Sequence, residues 1–339
     1  MFFSGIIYAF LVGCIYLFIR GWQSLEIFGR KRVWFAVGFW CIILTFLAAF
    51  VLRRRGIMSD LFEVFFFVGY YTCVVLTLYG FLMLLVIDLI RIIAWAIRLK
   101  LRNIFRNYPL TKAIMFGVVC LTLTVLLSWS YYNAHFPRTT HVEISVDKKA
   151  KQLTELRVVM VCDVHLGRIH GRKLLARIVD KINEQQPDVV LLIGDIFDGS
   201  PVPVIEKSMG VEFDRLQTKY GTYMIAGNHE RIGRREERNF ANENTTIAYM
   251  ASHGVQTLLD TVILIGNSFY LVGRKDYSDR SRKTISELLN DVDRQLPIIL
   301  ADHQPYNLYE AEQAGVDLTV WAYASWSVVS TELHHTGNL

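Results

Sequence analysis

The sequence predicts an N-terminal α-helical transmembrane bundle joined to a C-terminal α/β domain. Two observations carry this. Residues 1–131 are apolar and aromatic, with stretches long enough to match a bilayer core, which takes roughly 20 helical residues. From residue 156 onward, short β-type apolar runs alternate with helical patterns, and four of those runs end in acidic, amide or imidazole side chains. A chain of 339 residues has room for one or two domains.

The apolar stretches lie at about 2–19, 33–52, 64–87 and 113–131. The first has no basic region before it and no small-residue cleavage site after it, so it reads as a retained span rather than a signal peptide. Loop 20–32 holds Arg20, Arg30, Lys31 and Arg32, and loop 88–112 holds Arg91, Arg98, Lys100, Arg102, Arg106 and Lys112. The loop between them holds Arg53, Arg54 and Arg55. Ten basic residues against three place the first and third loops in the cytoplasm and the C-terminal domain outside, a bias that Lys148, Lys149, Lys151 and Arg157 oppose. Residues 89–105 mix basic and apolar side chains and read as a helix lying in the interface, the other reading being a continuation of the third span. Glu63 and Asp88, at the edges of that span, read as interfacial.

The net charge is +5, and its excess sits in the loops of the apolar half. That pattern points to membrane orientation, and without a basic-aromatic stripe in the second half no nucleic-acid partner is expected. Cys14, Cys41, Cys73, Cys120 and Cys162 lie in apolar runs without metal-type spacing and read as small buried hydrophobes.

In the second half, residues 132–155 are polar, include Pro137 and read as a linker, with the α/β domain at 156–320. Strands are expected at 156–162, 189–193, 223–226, 269–272, 298–301 and 318–320. Helices are expected at 172–186, 246–253 and 283–290, the first with Leu174, Leu175, Ile178, Val179 and Ile182 on one face. The strand ends carry Asp163-Val164-His165, Gly194-Asp195 with Asp198, Gly227-Asn228-His229-Glu230, and Asp302-His303. Each block alone is ordinary turn chemistry. Together they form the ligand set of a two-metal hydrolytic site, placed beyond the carboxyl ends of strands where α/β sheets carry their sites. His135, His141, His170 and His253 match no block and read as ordinary loop histidines; Arg168 and Arg274 read as salt-bridge partners or anion contacts.

Asp-x-His, Gly-Asp-x-x-Asp, Gly-Asn-His-Glu and the later Asp-His-Gln-Pro resemble the calcineurin-like metallophosphoesterase family over roughly residues 155–320. The whole chain is similar to bacterial members with N-terminal membrane spans. The resemblance implies a four-layer α/β sandwich and a dinuclear site of two divalent metal ions, Mn, Fe, Zn or similar. By matching position, Asp163 and His165 would bind the first metal, Asp195 would bridge, and Asn228 and His303 would bind the second. His229 would be the general acid, Asp198 would orient it, and Glu230 would tie down that loop. The implied activity is hydrolysis of a phosphate ester or pyrophosphate by hydroxide activated between the metals. An integral protein of the bacterial cell membrane would act on a phosphorylated or lipid-linked small molecule. Some membrane-associated members cleave UDP-2,3-diacylglucosamine on the cytoplasmic side, opposite to the topology the loop charges give.

One departure stands out. The family continues after the last strand with Gly-His-x-His-x-Gly-Gln, and this chain reads Trp321-Ala322-Tyr323-Ala324-Ser325-Trp326-Ser327. Trp has the single codon TGG, so a frame read one base later forces Gly at 321 and again at 326, and permits His-Thr-His-Arg between them and Gln after. Residues 321–339 are therefore expected to be an irregular out-of-frame tail on a C-terminally truncated enzyme, with His334 and His335 unable to supply the missing geometry. The reading from another class is a catalytically impaired membrane protein that binds or scaffolds. Resequencing codons 315–339 and beyond should show an open shifted frame encoding Gly-His-Thr-His-Arg-Gly-Gln; a gene without one overturns the frameshift.

Overall fold

The computed structural model describes residues 2–54, 60–99, 107–148, 150–151, 153–232, 243–304, 306–322 and 327–335. The chain divides into two compact units, 1–132 and 133–339.

The first unit is helical: α1 (Phe2–Ser24), α2 (Val33–Arg54), α3 (Asp60–Ala96) and α4 (Tyr108–His135). These helices are apolar around their whole circumference, as expected of segments whose solvent is hydrocarbon. Among the described residues, three helical stretches are long and apolar enough to cross a membrane: Glu26–Ala49, Val68–Ala96 and Tyr108–His135. The fourth stretch expected to span, at 2–19, lies within α1, a continuous helix of 23 residues. Phe10 and Cys14 of α1, Ile43 of α2 and Cys73 and Val74 of α3 share one cluster. The start of α4 follows capping rules: Asn107 Oδ1 accepts from Leu110 N at 3.1 Å, and Pro109 occupies the first turn, where its missing N–H breaks no bond. Asp88 is a paired charge rather than a free interfacial one, accepting from Tyr16 Oη at 2.6 Å and bonded to Arg20 and Arg91. The separate interfacial helix expected at 89–105 is not seen where residues are described. α3 runs unbroken through Ala96, because its apolar helix-forming residues continue without a breaker, and 100–106 lie outside the described residues.

The second unit is a four-layer α/β sandwich. One sheet holds β1 (Arg138–Val146), β2 (Glu155–Val161), β3 (Val189–Ile193), β4 (Thr222–Ile225), β5 (Val255–Thr257) and β10 (Ser327–His335), in the order β1-β10-β2-β3-β4-β5. The other holds β6 (Thr261–Ile265), β7 (Phe269–Gly273), β8 (Ile298–Asp302) and β9 (Leu318–Trp321) in sequence order. β2, β3, β4 and β5 pair in parallel, as do β7, β8 and β9.

β3 reads Val-Val-Leu-Leu-Ile and is buried on both faces, the signature of a central parallel strand. Its alternation distributes the core. Val189, Leu191 and Ile193 face the second sheet, meeting Phe269, Leu271, Ile299 and Val320, while Val190 and Leu192 face α5 (Arg172–Glu184). α5 answers with Leu174, Leu175, Ile178, Val179 and Ile182, the face expected from spacing. On the outer side of the second sheet, Val272, Ile298 and Leu300 pack against α9 (Ile285–Leu288) and α10 (Leu308–Gln313). Thr284 caps α9 in a reciprocal box with Glu287. Between these lie α6 (Val202–Glu206), α7 (Asn228–Ile232) and α8 (Glu243–Ser252).

Two expectations are corrected. The polar stretch 132–155 is not all linker: its run Thr-Thr-His-Val-Glu-Ile-Ser-Val is β-branched at alternate positions and forms β1. Residues 321–339 are not irregular throughout. Residues 327–335 form β10, parallel to β1 and antiparallel to β2, with Val329 opposite Met160 and Thr331 opposite Val158. The physical reason is edge pairing: without a neighbour β2 would leave a row of N–H and C=O groups unpaired, and Val328 adds to the core that faces α5.

Leu175 is buried between α5 and the first sheet. Leu175→Ala should destabilise the second unit by about 2–5 kcal/mol, read as a lower denaturant midpoint of the detergent-solubilised chain with an unchanged slope.

Candidate metal centre

The candidate site is built on backbone that ordinary residues avoid. Asp163 (φ 54°), His165 (φ 49°) and Asp195 (φ 51°) are left-handed without being glycine, each just past the end of β2 or β3. Each such residue costs on the order of 1–2 kcal/mol and persists only where the surroundings fix it. Here the two strand-end loops are zipped together: Asp163 N donates to Gly194 O (3.1 Å), His165 N to Asp195 O (3.0 Å), Leu166 N to Ile196 O (2.7 Å), and Asp198 N to Leu166 O (2.8 Å). Two glycines allow the approach. A Cβ on Gly194 (φ 71°) would collide with the His303 ring, and one on Gly227 with the Asp195 carboxylate and the His303 ring.

Glu230, at 2% exposure, anchors the third loop to the second. Its Oε2 accepts from Asp195 N (2.9 Å) and Gly227 N (2.8 Å), and its Oε1 from Phe197 N (2.8 Å). Burial pushes its carboxyl pKa up, and these three donors pull against that. Asp302 carries a similar load on the fourth loop. Its Oδ2 is bound by Arg282 and lies 3.6 Å from Arg274 Nη1, and Arg274 also holds Glu310. Arg274 is thus a salt-bridge residue, one of the two readings its sequence position allowed.

The functional side chains converge on Asp195, 4% exposed. Its Oδ1 lies 3.5 Å from His303 Nε2 and accepts from His229 N at 2.9 Å, and its Oδ2 lies 3.9 Å from both His165 Nε2 and His229 Nε2. Asp163 Oδ1 is 3.9 Å from His165 Nε2. Two groups have all their donor atoms within 4.8 Å of one another: Asp163, Asp195 and His303, and His165, Asp198 and His229. Two donors at about 2.1 Å from one ion stand about 3.0 Å apart in an octahedron and about 3.4 Å in a tetrahedron, so these separations suit divalent cations after a small contraction. Buried Asp163 Oδ2 has no hydrogen-bond partner, which fits an oxygen that a cation would satisfy. His303 donates from Nδ1 to Ile193 O at 2.8 Å, which turns Nε2 toward Asp195 as a ligand nitrogen.

Charge separates the imidazoles. The His165 and His229 rings meet edge to face at 4.5 Å between centroids, so two protons there would repel. Burial, then the neighbouring His229, lowers the His165 pKa; Asp198, 3.6 Å from Nδ1, raises that of His229 against the effect of burial. The two neighbouring rings are thus shifted in opposite directions, His165 toward the neutral form and His229 toward the charged one. For His303, burial opposes the charged form, yet the Asp195 carboxylate more than offsets it and the pKa is pushed up to about 9. Asp195 is itself pulled down, against burial, by His303 and the His229 N–H.

Every side chain expected from sequence at this centre is found beside it. Asp163, His165, Asp195, Asp198, His229 and His303 fall into the two donor groups, grouped differently from the expected first and second shells, since His303 stands with Asp163 and His165 stands with His229. Asn228 joins through Gln304, whose Nε2 donates to Asn228 Oδ1 at 2.6 Å. Gln304 stands in the Asp-His-Gln-Pro block of the sequence without a role assigned there, and this contact supplies one. His170 is not an ordinary loop histidine: its Nδ1 donates to Val164 O at 3.2 Å, bracing the loop between Asp163 and His165. Nothing local in the sequence marks Arg282, which reaches Asp302 only through the fold.

Comparison with known proteins agrees with this architecture. Residues 156–325 match the calcineurin-like phosphoesterase family, and the chain belongs to it. It is 29% identical over 217 residues to a zebrafish (Danio rerio) "transmembrane protein with metallophosphoesterase domain", covering 60% of this chain and 48% of that protein. It is 28% identical over 200 residues to an uncharacterized metallophosphoesterase of Helicobacter pylori, covering 54% and 47%. It is 24% identical over 170 residues to a UDP-2,3-diacylglucosamine pyrophosphatase of Chlamydia trachomatis, covering 48% and 50%. The chain thus spans about half the length of these relatives.

A cation bound through His303 Nε2 would have to displace the proton that the Asp195 carboxylate favours there. The sign follows: below about 9 the proton competes, so affinity weakens as pH falls and strengthens as pH rises toward that value. Titration with Mn²⁺ or Zn²⁺ by calorimetry should show proton release and a Kd that tightens by up to about tenfold per pH unit between 7 and 9. A pH-independent Kd without proton release would contradict this account of His303.

Proposed function

We propose that the chain is a membrane-anchored, metal-dependent phosphoesterase that hydrolyses a phosphomonoester, phosphodiester or pyrophosphate. The observation that carries the reading is the convergence of three imidazoles and a second carboxylate on the buried carboxylate of Asp195. In this proposal Asp163, His165, Asp195, Asn228 and His303 would hold the divalent ions. The ions, when bound, supply Lewis-acid stabilisation of the phosphoryl centre and lower the pKa of the attacking water. His229 holds the transferable proton on Nε2, the nitrogen that faces Asp195, while Asp198 on the Nδ1 side keeps the ring charged and oriented. Glu230 and Gln304 fix the loop and the amide on which this depends.

In this reading α1 joins the three candidate spans as a fourth, and the loop charges favour an extracytoplasmic second unit. A lipid-linked substrate is consistent with those spans and with the diacylglucosamine pyrophosphatase among the relatives. One observation favours a second reading, an impaired enzyme that binds: β9 ends in Trp321, opposite Asp302, and each donor group among the described residues has three side chains.

Detergent-solubilised protein with Mn²⁺ should hydrolyse bis(4-nitrophenyl) phosphate. Asp195→Asn should abolish metal binding and turnover together. His229→Ala should lower kcat by about 10²–10⁴-fold while metal stays bound, the mark of a proton donor rather than a ligand. A wild-type protein that binds metal and turns over no phosphoester would establish the impaired reading instead.

A further inference from the structure

Two exposed tyrosines, on loops bonded to the segments that carry the centre, take no part in the chemistry above. The Tyr277 and Tyr306 rings are stacked, 3.7 Å between centroids and 18° from parallel, yet they are 53% and 70% exposed. They come from different loops, one after β7 and one after β8. Tyr306 is three residues from His303, which places its Cα within about 11 Å of that residue by chain reach.

Both loops are tied down. On the first, Lys275 N and Lys283 N donate to the two oxygens of Asp260, and Asp276 Oδ1 accepts from Ser278 N and Oγ. Arg231, next to Glu230, reaches Ser278 Oγ at 3.3 Å and Asp279 at 3.5 Å, and Arg282 closes the loop onto Asp302. The second loop is held by His303 on Ile193 O and Gln304 on Asn228. The loop that bears Tyr277 is therefore bonded to Arg231 of α7, the residue after Glu230, and to Asp302, the residue before His303.

Resting on the phosphoesterase reading, we propose that the Tyr277–Tyr306 stack is a specificity subsite that receives a planar heteroaromatic ring, so that the preferred ligands are nucleotide-type: a base joined through a sugar to the phosphate held at the centre. The geometry selects this class over an alkyl chain. A near-parallel stack offers an outer flat π-face, the surface on which bases stack without sequence preference, whereas an acyl chain is taken up by a concave apolar groove. Rigid loops add to it, because a preformed platform loses little entropy when the ring settles.

The test uses the full chain in detergent, loaded with Mn²⁺, and compares AMP and UMP with butyl phosphate as competitors of bis(4-nitrophenyl) phosphate hydrolysis. The proposal expects both nucleotides to inhibit at least about tenfold more tightly than butyl phosphate, and expects Tyr306→Ala and Tyr277→Ala to remove that preference. Tyr306→Phe, which keeps the π-face, should retain it. Equal inhibition by the three phosphates, or a nucleotide preference that survives both alanine variants, overturns the subsite. Alanine variants that change only the lipid or detergent dependence of activity also overturn it and assign the pair to the bilayer interface. If no phosphoester is hydrolysed, the phosphoesterase reading fails, and equilibrium dialysis of the same three phosphates against metal-loaded wild type and Tyr306→Ala still decides the subsite.

Discussion

The buried carboxylate of Asp195 is the point on which the rest of the second unit depends. It sits at the end of the central strand β3 in a left-handed conformation, with its own N–H fixed by Glu230 and both of its oxygens turned toward imidazoles. A negative charge at 4% exposure is costly unless it is paired. Here the pairing comes from His303, pushed up to about 9, and from the His229 N–H. The raised His303 pKa and the lowered Asp195 pKa have one cause, the mutual stabilisation of opposite charges at this point. The centre is therefore an electrostatic arrangement that is complete only with positive charge inside it.

That demand explains the strain around it. Three non-glycine residues adopt positive φ within the loops after β2 and β3, and Gly194 and Gly227 leave no room for a side chain. Such backbone is held by its surroundings: four backbone hydrogen bonds zip the two loops, and Glu230 spans to a third. Below them, the two sheets meet through Leu191, Ile193, Phe269, Leu271 and Ile299, and burial of this apolar layer offsets the cost above. Stability is concentrated in the sandwich, and the departure from local preference is concentrated at the centre.

Much of this was legible in the sequence because it is local. The fully apolar run of β3 and the helical spacing of α5 identify their own elements, since periods of 2 and 3.6 are set by the backbone. Asp163, His165, Asp195, Asn228, His229 and His303 were legible because these polar side chains follow recognisable strand ends. The misplaced elements are those whose pattern lacks a buried face or whose partner is remote. β1 has polar residues at most positions, and β10 lies where the family motif gives way to an unfamiliar sequence.

By itself, then, the sequence determined the apolar helical half, the strands β2, β3, β4, β7, β8 and β9 with the helix α5 of the second unit, and the residue types at the strand ends, whereas β1, β5, β6 and β10 came only with the fold, because backbone periodicity and short-range turn chemistry are legible locally and edge pairing is not. Tertiary structure decided how the donors group around Asp195, in which direction each imidazole is shifted, that Gln304 and His170 brace their neighbours, and that Tyr277 and Tyr306 stack on each other. The reason is distance along the chain. His303 lies 110 residues from the Ile193 carbonyl that orients it, and no local pattern encodes a contact that only sheet register brings within 2.8 Å.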